Sequence, residues 1–354
     1  MTTKHRWRGF AAAAFATAAL AMAGAARAQA DVTTLSKATG ADREAKLLEG
    51  ARKEGGVDVY SSLVSEDIGA VAAAFEKKYP GIKVKYWRAS SEKILQRAVT
   101  EAKSGRYDVD VIETNGPELE AMAREKILAP VTSAHEKDLL PQALRPGKLW
   151  TGLRLNMFVQ AYNTNLIKAA ELPKSYRDLL DPKWKGKLAI EAEDVDWFAA
   201  VVKDMGEAEG LKFFRDVVRT NGISMRKGHT LLAGLVASGE TPLALTLYNH
   251  NAERLKKKDA PIDWFQIQPG YARVNGVSIA AKSPHPHAAL LFFDYMLSPE
   301  GQAVLQKANY IPINTKLGNK DTRATLHFID PAITLDEGGK WEKHFEDIIT
   351  RQSR

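Results

Sequence analysis

The stretch that decides the fold begins with Val57-Asp-Val-Tyr-Ser61, whose alternating apolar and polar residues predict a β-strand. Helical spacing of apolar residues follows over 68–79 and stops at Pro80-Gly81. A second alternating segment, Ile82-Lys-Val-Lys-Tyr86, predicts a second strand. The next segments predict a helix, a strand and a helix over 91–103, 108–113 and 118–124. This β-α-β-α-β-α order predicts an α/β fold in which helices flank a mainly parallel sheet.

The rest of the chain continues the α/β pattern. A second unit is expected over about 158–273, with strands near 158–162, 188–190, 223–225, 243–247 and 262–266. A further strand is predicted over 274–281, followed by helices over 286–297, 299–307 and 341–350. Because ligands bind beyond the carboxyl ends of strands in such sheets, the loops at 61–62, 88–91 and 114–115 are the first candidates for a site.

Composition excludes several classes of function. The chain has 354 residues and no cysteine, which excludes thiol nucleophiles, cysteine-ligated metals and disulfides. The length predicts two domains. The formal net charge of +7 first suggests a nucleic-acid partner. That charge, however, is concentrated at the beginning of the chain.

Residues 1–30 have the pattern of a secretory signal peptide. Lys4, Arg6 and Arg8 precede a short alanine-rich apolar run, and Ala-Arg-Ala and Ala-Gln-Ala offer cleavage after Ala28 or Ala30. Removal of this segment leaves 46 basic and 43 acidic residues, a net charge of about +3. We therefore expect an exported protein in the periplasm, without a nucleic-acid partner or stable membrane insertion.

Five short motifs follow one another along the chain. They are Phe75-Glu-Lys-Lys-Tyr-Pro-Gly-Ile-Lys-Val84, Ala161-Tyr-Asn-Thr164, Asp178-Leu-Leu-Asp-Pro-Lys-Trp-Lys-Gly-Lys187, Ser238-Gly-Glu240 and Ser298-Pro-Glu-Gly-Gln302. Their order and spacing resemble those of periplasmic solute-binding proteins of ABC importers, and the similarity spans about 55–315. The sequence is similar to the ferric-binding-protein-like branch of these proteins.

The resemblance implies the type II fold, in which two α/β lobes joined by hinge strands close on a ligand. Lobe 1 would comprise 31–158 and 274–318, and lobe 2 would comprise 159–273. A C-terminal helical tail, 319–354, would pack on lobe 2. Such a protein performs no chemistry and needs no cofactor. It binds a small solute, as an expected monomer, and delivers it to a membrane permease.

The resemblance also allows the usual iron-ligand positions of ferric members to be compared with the residues of this chain. Ferric members usually hold iron with a His in the first loop, a Glu after the third strand and an adjacent Tyr-Tyr pair, because a hard trivalent cation prefers anionic oxygen. Here the His position falls on Val64, the Glu position on Asn115, and the pair on Asn249-His250. We therefore expect no metal site. If iron binds nevertheless, Tyr162, Tyr248 and Glu113 are its expected ligands.

The turn that binds an anion in iron-binding members is acidic in this chain. It reads Glu191-Ala-Glu-Asp-Val-Asp-Trp197, and four carboxylates would repel an anion. Asp194 can be a helix cap, or Asp194 and Asp196 can face the cleft and pair with a ligand cation. Trp197 can add a cation–π contact or lie in the core.

The opposite lobe carries groups that favour anions. Arg88 precedes Ser90 and Ser91, a good N-cap sequence whose free N–H groups can hold a carboxylate or phosphonate. This contrast predicts a small zwitterion as ligand. The expected contacts from lobe 1 are Ser61, Ser62, Arg88, Ser90, Ser91, Thr114 and Asn115. Those expected from lobe 2 are Tyr162, Asp194, Asp196, Trp197, Tyr248, Asn249 and His250.

Two further classes of function differ from transport. A secreted hydrolase would need a nucleophile, a base and an orienting acid, and the sequence has no Gly-x-Ser-x-Gly or His-Glu-x-x-His motif. A periplasmic sensor would use the same two-lobed clamp to signal to a receptor, so sequence alone does not separate it from a transport protein.

Overall fold

A computed structural model describes residues 31–38, 40, 42–318 and 326–351; the expected signal peptide lies outside this part of the chain. The strands, β1 to β11, are Gly56–Ser61, Lys83–Arg88, Val111–Asn115, Thr151–Asn163, Leu188–Glu191, Ser224–Arg226, Leu243–Tyr248, Ile262–Phe265, Gly270–Ile279, Ile311–Pro312 and Leu326–Ile329. The helices, α1 to α12, are Val32–Ser36, Arg43–Glu54, Ser65–Lys78, Ser91–Lys103, Gly116–Arg124, Val195–Met205, Glu207–Asn221, His229–Ser238, Asn249–Lys256, Pro286–Leu297, Pro299–Lys307 and Pro331–Phe345.

The predicted β-α-β-α-β-α stretch forms one end of the sheet. Strand β1 lies between β2 and β3, and all three are parallel, with Ser61 in register with Arg88 and Glu113. The carboxyl ends of these strands therefore lie together, and each leads into the start of α3, α4 or α5. We call β2, β1, β3, β9 and the first half of β4 sheet 1.

The second group of strands, sheet 2, comprises β6, β5, β7, β8 and the second half of β4. Strands β5, β6 and β7 are parallel, whereas β4 is antiparallel to β7 and β8. Strand β4 is 13 residues long, far longer than the predicted 158–162. Its first half pairs with β9 and its second half with β7 and β8, so β4 belongs to both sheets.

The long strand β9 lies between β3 and β4 in the centre of the sheet. Its end pairs antiparallel with β3, its middle with β4, and its start pairs in parallel with β11. The sheet is thus parallel at its two ends and antiparallel in the centre, where β4 and β9 pair with each other. The prediction of a mainly parallel sheet holds for the two ends.

Two clusters of buried apolar residues stabilise these sheets. The first fills sheet 1 and its helices and continues onto the face of sheet 2 that α8 and α9 cover. The second lies between the other face of sheet 2 and α6, α7 and α12, and it contains Trp184, Trp197 and Trp341. Within the described residues, no helix combines the length and apolar character needed to cross a bilayer.

The C-terminal segment differs from the predicted helix over 341–350. It begins with β11, and its helix α12 starts ten residues earlier, at Pro331, where the carboxylate of Asp330 caps the backbone N–H of Ala332 at 2.8 Å. Gly338 and Gly339 have low helix propensity, so the sequence does not predict the first half of this helix. It packs on α6 and on α5, so it contacts elements attached to both sheets.

Candidate functional site

A cleft of about 550 Å³ lies where the strand ends of sheet 1 face those of sheet 2. Six helices begin at this cleft: α3, α4 and α5 from sheet 1, and α6, α8 and α9 from sheet 2. Free backbone N–H groups at helix starts attract anions. The lining side chains decide which kind of solute this cleft favours.

The sheet 1 wall is rich in donors. The exposed Arg88, at the end of β2, donates from Nε to the carbonyl of Leu63 at 3.2 Å and has no ion-pair partner among the described residues. Ser90 caps α4 by accepting from the N–H of Lys93 at 3.5 Å, and Ser91 begins the helix. A guanidinium without a carboxylate partner, beside a helix start, is a suitable site for an anionic group.

A buried ion pair supports this wall from behind. Glu113, fully buried in the middle of β3, lies 3.2 Å from Nη2 of Arg154 on β4. The same carboxylate accepts from the hydroxyl of Ser61 at 2.8 Å and from the N–H of Ser62 at 2.9 Å. The Arg154 guanidinium also lies 4.5 Å from the ring centre of Tyr310. Glu113 therefore fixes the loop after β1 and is not free to bind a ligand.

The sheet 2 wall is acidic. Asp194, fully buried at the start of α6, lies 3.0 Å from Nε2 of His229 and 3.1 Å from Nη2 of Arg273. Burial alone would raise the pKa of Asp194, but these two cationic neighbours outweigh burial and lower it. The His229 ring stacks on Tyr248 with 3.9 Å between ring centres. Asp194 is thus an ionised acid that is already compensated.

Glu191 is the less compensated carboxylate of this wall, because His229 lies within 4.8 Å of it but forms its ion pair with Asp194. It is 2% exposed, and within the described chain its oxygens accept hydrogen bonds only from the backbone N–H groups of Gly228 and Glu193, each at 2.7 Å. Burial and the nearby Asp194 raise the pKa of Glu191. Among the described residues it has no ion-pair partner within 4 Å. A ligand cation would supply the missing charge.

The same acids define where a cation or metal could bind. One ligand atom each from Glu191, Asp194 and His229 lie within 4.8 Å of one another. Tyr248 is close by, but burial raises its pKa well above 10, which disfavours the phenolate that a ferric ion prefers. His250 is also buried, and burial together with Arg154 and Arg254 holds its pKa well below 6.5. His250 is therefore neutral.

The structure places eight of the predicted contact residues in the cleft. They are Ser62, Arg88, Ser90, Ser91, Asn115, Asp194, Tyr248 and His250. Six others lie elsewhere. Ser61 is fully buried and bonded to Glu113, and Thr114 is fully buried in β3. Asn249 is buried and donates to the carbonyl of Asn309 at 3.3 Å. The remaining three are Tyr162, Asp196 and Trp197.

Trp197, Tyr162 and Asp196 have structural surroundings of their own. Trp197 is fully buried between Tyr176 and Phe214, since the α6 face that carries it packs on the second core. Tyr162 packs on Phe265 at the far end of β4. Asp196 points away from the cleft and pairs with Arg273. None of the three contributes to the cleft surface.

The expected substitute iron ligands are also not brought together. Phe158 is in register with Tyr248, and Tyr162 lies four residues further along β4, a separation of about 14 Å at 3.4 Å per residue. Glu113 is occupied by Arg154 and the backbone after β1. Tyr162, Tyr248 and Glu113 therefore cannot bind one ion in this conformation.

Several residues that line the cleft are not predicted as site residues by any motif in the sequence. Arg154, Asn156 and Tyr310 line the cleft, but they lie in a strand extension and a loop without a motif. Glu118, Glu193, Lys227, Thr230 and Asn251 line it as well. From the sequence, His229 and Arg273 are possible cationic donors without a motif, and the structure shows that both pair with Asp194. Long-range pairing across β4 and β9 brings these residues together.

Comparison with known proteins agrees with this architecture. The family model of the bacterial extracellular solute-binding protein matches residues 61–303. Iron uptake protein A1 of Synechocystis is 24% identical over 84% of this chain and 90% of its own. A putative 2-aminoethylphosphonate-binding periplasmic protein of Salmonella typhi is 21% identical over 78% and 82%.

A solved structure extends the comparison to the fold. Iron-bound HitA from Pseudomonas aeruginosa matches with a TM-score of 0.70 and 24% identity, over 83% of this chain and 99% of that chain. Its fold is the type II periplasmic binding fold, and proteins of this kind bind solutes for ABC importers without catalysing a reaction. The family model matches more than half of this chain, and the chain therefore belongs to the bacterial extracellular solute-binding protein family.

Proposed function

We propose that this protein captures a small zwitterionic solute in the cleft and delivers it to the permease of an ABC importer. The anionic group would lie at Arg88 and the start of α4, and the ammonium group at Glu191. The observation that carries the proposal is the opposite polarity of the two walls. Arg88 has no carboxylate partner and Glu191 has no cationic partner among the described residues.

The proposed mechanism is closure of two lobes about β4 and β9. Lobe 1 would comprise 31–158 and 274–318, lobe 2 would comprise 159–273, and the tail 319–354 would pack on lobe 2. Strand β4 supports this division because its first half pairs with β9 of sheet 1 and its second half pairs with β7 and β8 of sheet 2. Closure would bury the solute and form the surface that the permease recognises. The protein would act as a monomer in the periplasm after removal of residues 1–30.

The nature of the zwitterion follows from the donors and acceptors. A helix start and a guanidinium suit a phosphonate or carboxylate, and a buried carboxylate suits a primary amine. Aminophosphonates and amino-acid-like solutes have both groups. The relative named for 2-aminoethylphosphonate binding supports this class. The relative named for iron uptake supports ferric ion as the second candidate.

The test is isothermal titration calorimetry with 2-aminoethylphosphonate and with ferric citrate. We expect the aminophosphonate to bind. Glu191→Gln should weaken it roughly tenfold to hundredfold, because a hydrogen bond to a charged group contributes about 1.5–3 kcal/mol. Arg88→Gln should weaken it similarly. Glu209→Gln, the same change at an exposed site on α7, should leave the affinity unchanged.

Two results would contradict the proposal. One is equal affinity for amine-bearing acids in the wild type and in Glu191→Gln. The other is tight binding of ferric ion with a visible tyrosinate charge-transfer band, which would favour the iron alternative. A receptor-linked sensor would bind the same solute, and growth on that solute after deletion of the permease separates sensing from transport.

A further inference from the structure

A second cavity, larger than the cleft, lies beyond the ion pairs of Arg273. It has a volume of about 780 Å³ and is enclosed by α5, α6, β11 and α12; we call it the α6–α12 cavity. Arg273 reaches both spaces, since its Nη2 contacts Asp194 in the cleft and Asp196 in the α6–α12 cavity. Pockets of this size hold small organic ligands in many proteins.

The clearest sign of a ligand is an unpartnered buried oxygen. Asp196 lines the α6–α12 cavity and is 7% exposed. Its Oδ1 accepts from Arg273 Nη2 at 2.5 Å and from its neighbour Trp197 N at 2.8 Å. Its Oδ2 has no hydrogen-bond partner in the described part of the chain. A buried carboxylate oxygen without a donor is costly, so a donor supplied by a ligand would be stabilising.

The charges around the cavity favour a cation. Its acidic residues are Glu118, Glu193, Asp196, Asp204, Asp330, Glu337 and Glu342, against Lys203, Arg273 and His327. The two permanent cations are already paired, Lys203 with Glu337 at 2.6 Å and Arg273 with Asp196. Burial raises the pKa of Glu118 to about 7, and one of its oxygens is also unpartnered in the described residues. An added cation would favour ionised Glu118.

The remaining wall is apolar. Val195, Phe328, Ile333 and Trp341 line it, and Ile333 is 48% exposed although it is a large aliphatic side chain. An apolar group placed here would bury Ile333 and gain about 25 cal/mol for each Å² removed from water. A ligand for this space therefore has a cationic head and an apolar body.

From this combination we propose that the α6–α12 cavity is a second binding site, specific for a small primary amine with an aromatic or alkyl body. The ammonium group contacts Asp196, and the body lies against Phe328, Ile333 and Trp341. This site is separate from the cleft, and its ligand needs no anionic group. The two sites share Arg273, so occupation of one changes the surroundings of the other.

Calorimetric titration with 2-phenylethylamine tests this proposal, with 2-phenylethanol as its neutral analogue. We expect the amine to bind and the alcohol to bind at least about tenfold more weakly, because a buried carboxylate requires a cation. Asp196→Asn should weaken the amine by a similar factor. Ile333→Trp narrows the space beside the apolar body and should weaken amine binding. Leu166→Trp, at a site 55% exposed and outside both cavities, should bind like the wild type.

Competition distinguishes this site from the cleft. The amine should still bind to Arg88→Gln and to protein that is saturated with 2-aminoethylphosphonate. Undiminished amine binding by Ile333→Trp would overturn the proposal, as would complete displacement by the aminophosphonate or the absence of binding at 10 mM amine. Because Ile333 is exposed, its variant remains informative even if Asp196→Asn does not fold.

Discussion

At the scale of single residues, the Asp194–His229 pair has a measurable signature. Burial lowers the pKa of His229, but Asp194, helped by Glu191, outweighs burial and the opposing Arg273, so the net pKa is raised above 6.5. A group whose pKa rises on folding stabilises the native state fully below its unfolded pKa. That stabilisation disappears as the pH rises through the folded value.

We therefore predict that His229→Gln loses stability most at acidic pH. The difference in free energy of unfolding between the wild type and His229→Gln should be largest near pH 5.5 and should shrink above pH 6.5. Urea unfolding followed by circular dichroism at several pH values measures it. His344→Gln, which removes a histidine without a carboxylate partner in the described residues, is the control. A difference that grows with pH would contradict the prediction.

At the scale of elements, the sequence predicts best those helices whose apolar spacing and end signals lie within the helix itself. The helices over 91–103, 286–297 and 299–307 have the predicted bounds, because caps and prolines mark their ends. Strand β4 was predicted too short, since Arg154 and Asn156 interrupt its apolar pattern. They are tolerated inside because Glu113 and Asn115 from β3 provide partners. Partners so distant in sequence cannot be read from a local pattern.

Helix α12 packs on α6 through two large buried side chains, Trp341 and Phe345. Trp341 is 2% exposed and packs beside Phe198 of α6, with 6.5 Å between ring centres. We predict that Trp341→Ala destabilises the protein by about 3–5 kcal/mol, as expected for a deleted core aromatic. Lys343→Ala, on the exposed side of the same helix, should change stability little. Urea denaturation compares the two, and equal effects would argue against docking of α12.

At the scale of the whole molecule, α9 reaches across to elements of sheet 1. Arg254 on α9 lies 2.5 Å from Asp67 on α3, and the hydroxyl of Tyr310 donates to the same carboxylate at 2.7 Å. Lys257 adds a contact at 2.6 Å to the side chain of Asn309. If α9 moves with sheet 2 during closure and the described conformation is the closed one, these contacts stabilise the closed state.

We predict that Arg254→Ala releases a cleft ligand faster. The dissociation rate should rise roughly three- to tenfold, because a contact present mainly in the closed state is lost. Stopped-flow displacement measures the rate. Lys256→Ala is the matched control, since Lys256 lies on the same helix but pairs with Asp263 of β8 at 2.8 Å. Identical rates for both variants would show that the Arg254 contact does not gate release.

The arrangement of the chain ends has a practical consequence. The first described helix, α1, packs on α10 beside sheet 1, whereas the last described turn buries Ile348 and Ile349 in the core under sheet 2. Lys37 and Arg351 are exposed near these ends. A donor and an acceptor dye attached there would lie on opposite sides of the proposed hinge at β4 and β9. The protein is thereby suited to conversion into an optical sensor of its own solute, with no label near the cleft.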